Sequence, residues 1–221
     1  MGGPKALIRD PSGVAWVVRT AHLLAEAECS PVVVVIGASA EQIAVELAGQ
    51  PVELVEATNW QEGMGASLRA GLSALQHLAD PRRASARESG AHAAATRGPV
   101  PEPGGAPVTP EPPTPEPPTP EPVAALIVPI DVPGLPADVV RRMSAHSERR
   151  VLARAVYRGN PGHPVLIGRD HWDGVIASAS GDQGARAYLE QHRAAEIECS
   201  DLSDGADVDT AEQLPEGHRL G

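Results

Sequence analysis

The sequence predicts an α/β fold with three layers, helices on both faces of a mostly parallel sheet. Short apolar runs alternate with amphipathic segments along most of the 221 residues, which is the order expected of parallel strands joined by helices. Hydrophobic residues make up 42% of the chain, enough for a normal core. Aromatic residues make up only 2%, with no Phe, so the core must be aliphatic, as in buried parallel strands.

The first part of the chain shows this alternation clearly. An uninterrupted apolar run at 32–36 predicts a buried strand, and Gly37 and a helix over 40–48 follow it. Residues 52–55 predict a second strand. Residues 65–78 predict a helix whose leucines share one face.

The second part repeats the pattern. Residues 124–130 predict a strong strand that ends at Asp131, and residues 136–145 predict a helix with Pro in its first turn. Further strands are predicted at 152–157 and 165–167. Further helices are predicted at 169–177 and 183–192, with a short one after Thr210.

The segment 81–122 has a different composition. It is rich in Ala and Pro, and 109–122 reads TPEPPTPEPPTPEP. Because Pro fixes φ and lacks an N–H, this repeat favours a solvated polyproline II spacer. We expect one domain over 1–221, interrupted here by a disordered insertion. Binding to a proline-reading domain is the alternative.

Charge and composition exclude several classes of partner. The formal charge of −11 disfavours nucleic-acid binding but permits a local cationic site for a small anion. The apolar runs are far shorter than a membrane span. Cys29 and Cys199 form no metal or disulfide pattern, so reduced thiols are expected. We therefore predict a soluble, cytoplasmic protein without a membrane or nucleic-acid partner.

Asp131 is the strongest candidate for chemistry. Ligands of open α/β sheets bind at the carboxyl ends of the strands, where a carboxylate can hold Mg²⁺ that bridges nucleotide phosphates. Capping of the next turn is the alternative. Asp207 and Asp209 share one side of an extended segment and could complete such a site, or cap the last helix. Near the N-terminus, Gly2 and Gly3 precede Lys5, which could cradle phosphates or simply form a flexible end.

Two further loops carry candidate binding residues. In Asn59–Leu72, Gly63 permits close approach of a flat ligand, and Ser67 lies in the first helical turn. A plain strand-to-helix loop is the alternative there.

The loop at 159–165 contains Gly162, His163 and Pro164. His163 could carry a proton or serve a structural role. The loop at 181–186 contains Asp182, a candidate helix cap, and Arg186, which could clamp a phosphate or carboxylate.

In this order, the motifs resemble the MobA-like NTP transferase superfamily, and within it the molybdenum cofactor cytidylyltransferases. The matching segments are MGGPKAL at 1–7, NWQEGMGASLRAGL at 59–72, PIDVPGL at 129–135, PGHPVL at 161–166, GDQGAR at 181–186 and DVDT at 207–210. The resemblance implies a Rossmann-like nucleotidyltransferase fold. It also implies transfer of a nucleotidyl group from an NTP to a phosphorylated acceptor, with release of pyrophosphate.

The resemblance also implies residue roles. Lys5 would stabilise the triphosphate, with Gly2 and Gly3 beside it, and Gly63 and Ser67 would lie where the base is held. Asp131 would hold Mg²⁺ together with Asp209 or Asp207. The residues predicted to shape the acceptor pocket are Gly162, His163, Pro164, Asp182 and Arg186.

The Pro before Lys5 resembles the cytidylyl branch, so CTP is favoured over GTP. Molybdopterin is then the first acceptor to consider, with sugar phosphates as alternatives. A non-catalytic homologue that serves a molybdoenzyme partner is a second hypothesis. A dinucleotide-dependent oxidoreductase is a third: it rests on the segment VIGASA at 35–40, which lacks the full glycine pattern.

The sequence departs from the family at its start. Family members begin with an apolar strand and a loop of the form LAAGxGxRMGxPK, whereas this sequence begins at the Met inside that pattern. The first strand of the fold is thus not represented. We expect a misassigned start, with upstream codons for a Val/Leu/Ile strand and a Gly-rich loop; a fragment or a degenerate homologue are the alternatives.

Overall fold

A computed structural model describes residues 3–78 and 121–220 of the chain. Residues 3–75 and 122–220 belong to one compact unit, and residues 76–121 form a second unit of which only 76–78 and 121 are described. The predicted insertion at 81–122 therefore lies almost wholly outside the described residues, and the single-domain organisation stays a prediction.

The first sheet consists of two parallel strands. Helix α1 (Trp16–Glu26) precedes strand β1 (Val33–Ile36), and helix α2 (Ala40–Glu46) leads to strand β2 (Glu53–Glu56). Strands β1 and β2 pair in parallel, with Val33 opposite Glu53. A helix between two parallel strands is the βαβ unit that the apolar pattern predicts.

The second sheet has four strands in the order β3-β5-β4-β6. In chain order, the strands of this sheet and the helices around them are α3 (Met64–Leu78), β3 (Ala124–Ile127), α4 (Ala137–Ser144), β4 (Leu152–Tyr157), β5 (Asn160–Gly168), α5 (Trp172–Ser178), α6 (Arg186–Gln191) and β6 (Ala195–Glu198). Strands β3, β4 and β6 run in one direction and only β5 runs against them. The sheets are thus parallel-dominated, as predicted.

Two apolar clusters cover opposite faces of the four-stranded sheet. One joins α1 and α4 to the face that carries Ala153 and Leu166. The other joins α3, α5 and α6 to the face that carries Val165 and Ile167. Because successive residues of a strand point to opposite faces, neighbours in β5 enter different clusters. The α/β/α layering is therefore confirmed.

Several predicted boundaries are corrected by the structure. The strand predicted over 124–130 ends at Ile127, since Pro129 has no N–H to donate to a ladder. The strand predicted at 165–167 extends over Asn160–Gly168, because the tight turn at Arg158 and Gly159, both with positive φ, pairs it with β4 from its first residue.

The helices near the C-terminus are also shorter than predicted. The helix predicted at 169–177 begins at Trp172, after a 3-10 turn over Arg169–His171. The helix predicted at 183–192 begins at Arg186, because Gly181 and Gly184 have positive φ and interrupt a helical path. The element after Thr210 is a single 3-10 turn over Ala211–Gln213.

In the part of the chain that the structure describes, no helix combines the length and the apolar character needed to cross a bilayer.

Candidate active site

The structure brings together three residues that are far apart in the sequence. Lys5 Nζ donates hydrogen bonds to Asp131 Oδ2 and to Asp209 Oδ1, each at 2.9 Å. The two carboxylate oxygens therefore lie no farther from each other than twice that distance. The loop after β3, an N-terminal turn and a C-terminal segment thus meet at one ammonium group.

The backbone fixes this convergence. Val208 donates its N–H to the carbonyl of Asp131 at 2.8 Å, which ties the C-terminal segment to the loop after β3. Val208 is buried with Ile8 and Trp16. Since side chains alternate along an extended segment, burial of Val208 turns the two flanking acids toward solvent. The sequence DVDT is thus built to present carboxylates beside Asp131.

The last turn locks the same segment from the other side. The Gln213 side chain accepts hydrogen bonds from the backbone N–H groups of Asp209 and Thr210, at 2.7 and 2.8 Å. The Thr210 side chain completes a capping box with Gln213. Such reciprocal capping satisfies donors that a short turn leaves free, and it holds Asp209 near Lys5.

Burial and charge differ among the three groups. The Lys5 and Asp131 side chains are 25% and 26% exposed, whereas that of Asp209 is 65% exposed. Partial burial alone lowers the pKa of Lys5, but the hydrogen bonds and charges of Asp209 and Asp131 outweigh it and raise the pKa above its ordinary value. Lys5 is therefore cationic at neutral pH, and Asp131 is its better shielded partner.

His163 lies within electrostatic range of the acids. Burial lowers the pKa of its imidazole, while the charges of Asp131 and Asp207 act in the opposite direction. The Tyr157 hydroxyl donates to the His163 carbonyl at 2.7 Å. Burial, together with the nearby Cys199 and Asp204, raises the pKa of Tyr157 to about 12, so this donor stays protonated. Tyr157 thus fixes the backbone that carries the imidazole.

The acids fit a hard divalent cation. Mg²⁺ is usually bound by one or two carboxylates, and waters and substrate phosphates supply its other ligands. Asp131 and Asp209 converge on one point, which is the donor set this mode requires. Within residues 3–78 and 121–220, no group of three or more His, Cys, Asp or Glu residues forms a closed metal cage.

A second group forms where two predicted loops meet. A Cβ added at Gly63 would lie 2.4 Å from Asp182 Oδ1, and one at Gly65 would lie 2.7 Å from the backbone nitrogen of Ser180. Arg69 joins the loops, donating to the Ala179 carbonyl and to the Glu62 carboxylate, both at 2.6 Å. The loop predicted to hold the base and one predicted for the acceptor are therefore packed against each other.

The remaining predicted residues are placed separately. Arg186 pairs with Glu190 on its own helix at 3.0 Å, and its side chain is largely exposed. Ser67 is half-buried in the first turn of α3, and Gly3 is exposed with open space around it. Gly2 lies outside the described residues.

The predicted loop at 162–164 is anchored rather than open. Pro164 is fully buried. A Cβ at Gly162 would come within 2.9 Å of the Tyr157 ring, so the ring covers this glycine. His163 is the ionisable residue of the three, and the charges of Asp131 and Asp207 oppose the lowering of its pKa by burial.

Two residues with clear structural roles were not predicted as site residues. Arg69 lies within the motif at 59–72, and Tyr157 ends β4. Arg69 could have been identified from the sequence, because it lies one helical turn after the Gly63–Gly65 loop. The role of Tyr157 depends on the β4–β5 hairpin register, which the apolar pattern did not provide.

A layered α/β domain with a lysine and acidic residues gathered beyond its strand ends can bind phosphate esters and nucleotides with a divalent metal. The particular family follows from comparison with known proteins. The chain belongs to the MobA-like NTP transferase domain family, whose model matches residues 1–196. It is an enzyme of the nucleotidyltransferase type, as predicted.

One similar curated protein is the nicotine blue oxidoreductase of Paenarthrobacter nicotinovorans. It is 28% identical over 221 residues, covering 96% of this chain and 86% of the relative. Its name describes an oxidoreductase rather than a transferase, although the match extends over almost the whole chain.

Solved structures share the fold. Rv0371c from Mycobacterium tuberculosis H37Rv matches with a TM-score of 0.65 at 16% identity, covering 96% of this chain and 87% of that one. Its complex with manganese matches with a TM-score of 0.61 at 20% identity, covering 96% and 89%. A nucleotidyl transferase from Methanothermobacter thermautotroptrophicus (Mth528) gives 0.58 at 16% identity, covering 89% and 76%.

Proposed function

We propose that this protein is a divalent-metal-dependent nucleotidyltransferase that moves CMP from CTP to a phosphorylated acceptor such as molybdopterin. An acceptor phosphate oxygen would attack the α-phosphorus, and the bond to the β-phosphate would break to release pyrophosphate. The observation that carries the proposal is the convergence of Lys5 on Asp131 and Asp209, each at 2.9 Å.

Each of the three residues has a role in this scheme. Asp131 and Asp209 would hold Mg²⁺, which when bound neutralises charge on the phosphates. Lys5 is cationic and only one quarter exposed, so its ammonium can follow the negative charge that develops on the leaving pyrophosphate. Transfer of this kind needs positioning and charge neutralisation more than covalent help.

The metal assignment has independent support among the structural relatives. Rv0371c has a crystal structure in complex with manganese. Manganese and magnesium both prefer oxygen ligands in octahedral geometry, and carboxylates that converge on one point suit either ion. Mn²⁺ is therefore a suitable probe for the site.

The other loops would bind the two substrates. Gly63 and Ser67 are proposed for the base, and His163 and Asp182 for the acceptor. Pro4, which precedes Lys5, favours CTP over GTP through its resemblance to the cytidylyl branch. Sugar phosphates are the alternative acceptors.

The direct test measures pyrophosphate release from CTP with Mg²⁺ and a molybdopterin acceptor, beside GTP and a sugar phosphate. Asp131→Asn is expected to reduce turnover at least 100-fold, since removal of one catalytic electrostatic group commonly costs that much. Asp170→Asn, which removes a carboxylate paired with Arg149 elsewhere on the surface, is the control. Full activity in Asp131→Asn would overturn the metal assignment, and inactivity of the unaltered protein would favour a binding role in molybdoenzyme maturation.

A second candidate function is oxidoreduction of a small heterocyclic substrate. It is favoured by the 28% identity to nicotine blue oxidoreductase. The test is consumption of NADH or NADPH, followed by absorbance, with nicotine blue as substrate. Turnover there without pyrophosphate release from any NTP would favour this candidate over nucleotidyl transfer.

A further inference from the structure

One aromatic side chain of the protein is exposed where the others are covered. Trp60 is 41% exposed, whereas Trp16 and Trp172 are 1% and 0% exposed. The two tyrosines are buried or half-buried. The indole offers a large apolar face together with a polar N–H, so a partly exposed ring is suited to contact with a flat ligand.

The backbone around Trp60 is shaped to hold the ring in place. A Cβ added at Gly37 would lie 2.7 Å from Trp60 Cβ and 2.8 Å from Cγ, so the ring rests directly on the bare backbone of Gly37. Trp60 also opens a 3-10 turn that Gly63 closes by donating its N–H to the Trp60 carbonyl at 3.0 Å. Gly37 thus fixes the ring, and the 3-10 turn fixes the backbone that carries it.

This position is at the carboxyl ends of the parallel strands. Gly37 follows Ile36, the last residue of β1, and Trp60 lies four residues beyond the end of β2. Ile36 belongs to the same apolar cluster as Leu7 and Ile130. Those two residues lie close in sequence to Lys5 and Asp131, so the segments that carry the charged group pack against the apolar cluster that contains the end of β1. Ligands of open α/β folds bind at such strand ends.

A second apolar side chain in the same loop region is also exposed. Met64 is 54% exposed, and its Sδ would lie 3.4 Å from a Cβ at Gly184, so it reaches the loop of Asp182. Met64 follows Trp60 by four residues, and its flexible, polarizable thioether can adapt to the edge of a planar ligand.

We infer that Trp60 is a stacking platform for the flat heterocycle of a substrate, with Met64 lining its edge. The inference deepens the proposed function and rests on it for the identity of the ligand. The ring could come from the nucleobase of CTP or from the pterin of the acceptor, and stacking is chemically the same for both.

The test is a binding titration that separates ring from phosphate. CTP, neopterin and tripolyphosphate are each titrated while tryptophan fluorescence or heat of binding is followed. Trp60→Leu is expected to weaken binding of CTP or of neopterin about tenfold, since stacking of one base on an aromatic ring contributes roughly that or more. Trp60→Phe should retain most of the affinity, and tripolyphosphate, which has no ring, should bind all variants equally.

Two further variants sharpen the test. Gly37→Ala keeps the indole but displaces it, so this variant should also bind CTP or neopterin more weakly. Leu54→Ala, at a side chain that is likewise 41% exposed, is the matched control and should bind as the unaltered protein does. Thermal melts verify that each variant is folded.

The outcomes distinguish this inference from the proposed function. Unchanged affinity of Trp60→Leu for both CTP and neopterin would overturn the platform, even if pyrophosphate release is normal. Binding of neither ring ligand to the unaltered protein would overturn it as well. Trp60-dependent binding of neopterin without any binding of CTP would support the platform and remove the nucleotide part of the proposed function.

Discussion

Replacing Lys5 with Met tests whether the Lys5 ammonium and a divalent metal ion compete for the carboxylates of Asp131 and Asp209. A divalent ion held by Asp131 and Asp209 could not share its position with an ammonium 2.9 Å from both. At an effective dielectric constant near 20, two unit charges 4 Å apart interact by about 4 kcal/mol, and a divalent ion would be repelled about twice as strongly. The ammonium must therefore move away when the acids bind the ion.

The cost of that movement sets the size of the effect. A hydrogen bond to a charged group contributes about 1.5–3 kcal/mol when it is shielded from water. The Asp209 side chain is 65% exposed, so its share is discounted and the Asp131 bond alone is counted, at the lower value. About 1.5 kcal/mol corresponds to about a tenfold change in affinity. Lys5→Met should therefore bind Mn²⁺ about tenfold more tightly without nucleotide, while it loses nucleotidyl transfer.

The assay is a Mn²⁺ titration followed by electron paramagnetic resonance, which detects free ion directly. Arg141→Met is the control, because Arg141 also pairs with two carboxylates, those of Glu26 and Asp138, and its loss changes the net charge equally. If Lys5→Met bound Mn²⁺ no more tightly than the unaltered protein, or no more tightly than Arg141→Met, the competition between ammonium and metal would be disproved.

Three further predictions follow from the fold. Burial and then the charge of Arg19 lower the pKa of His218, whose Nδ1 accepts the Trp16 N–H at 2.9 Å. The stability that neutral His218 contributes is complete above the ordinary histidine pKa near 6.5 and is lost as the pH falls through the lower pKa of the folded state. The melting temperature should therefore drop between pH 7 and 5, and it should drop less in His218→Gln. Arg69→Met should raise the KM for nucleotide and acceptor together, because Arg69 joins both loops; a change in one KM alone would contradict this. Deletion of residues 85–120 should leave activity and melting temperature nearly unchanged, since loop length adds little free energy, and a large loss of either would reveal a role for the insertion.

Much of the fold could be predicted because several strands are largely apolar. The segments at 32–36, 124–127 and 152–157 predict strands, and the structure has strands at all three. Helix α1 (Trp16–Glu26) and strand β6 (Ala195–Glu198) were not predicted, and β6, with the sequence AEIE, contains no apolar run. The first half of β5 could not be found in this way. Asn160–Pro164 contains no apolar run, and it is a strand because the turn at Arg158 and Gly159 aligns it with β4.

The charged group could be predicted only in part. The rule that ligands bind at strand ends directed attention to Asp131, local patterns made Lys5 and the acids at 207 and 209 candidates, and the family resemblance gave them their roles. What the sequence could not provide is the contact itself, since Lys5 and Asp209 are 204 positions apart. That contact depends on the backbone bond from Val208 to Asp131 and on burial of Val208.

The loops that carry Gly63 and Asp182 are packed against each other. Sequence reasoning assigned them to different substrates, yet a side chain at Gly63 is disfavoured: φ there is +100°, and a Cβ would lie 2.7 Å from the backbone carbon of Gly181 and 2.4 Å from Asp182 Oδ1. One wall therefore borders both proposed pockets. A substitution chosen to change the base preference at Gly63 must displace Asp182, and so it must also change recognition of the acceptor. If the proposed function holds, we therefore expect selectivity for nucleotide and for acceptor to change together in variants of this loop.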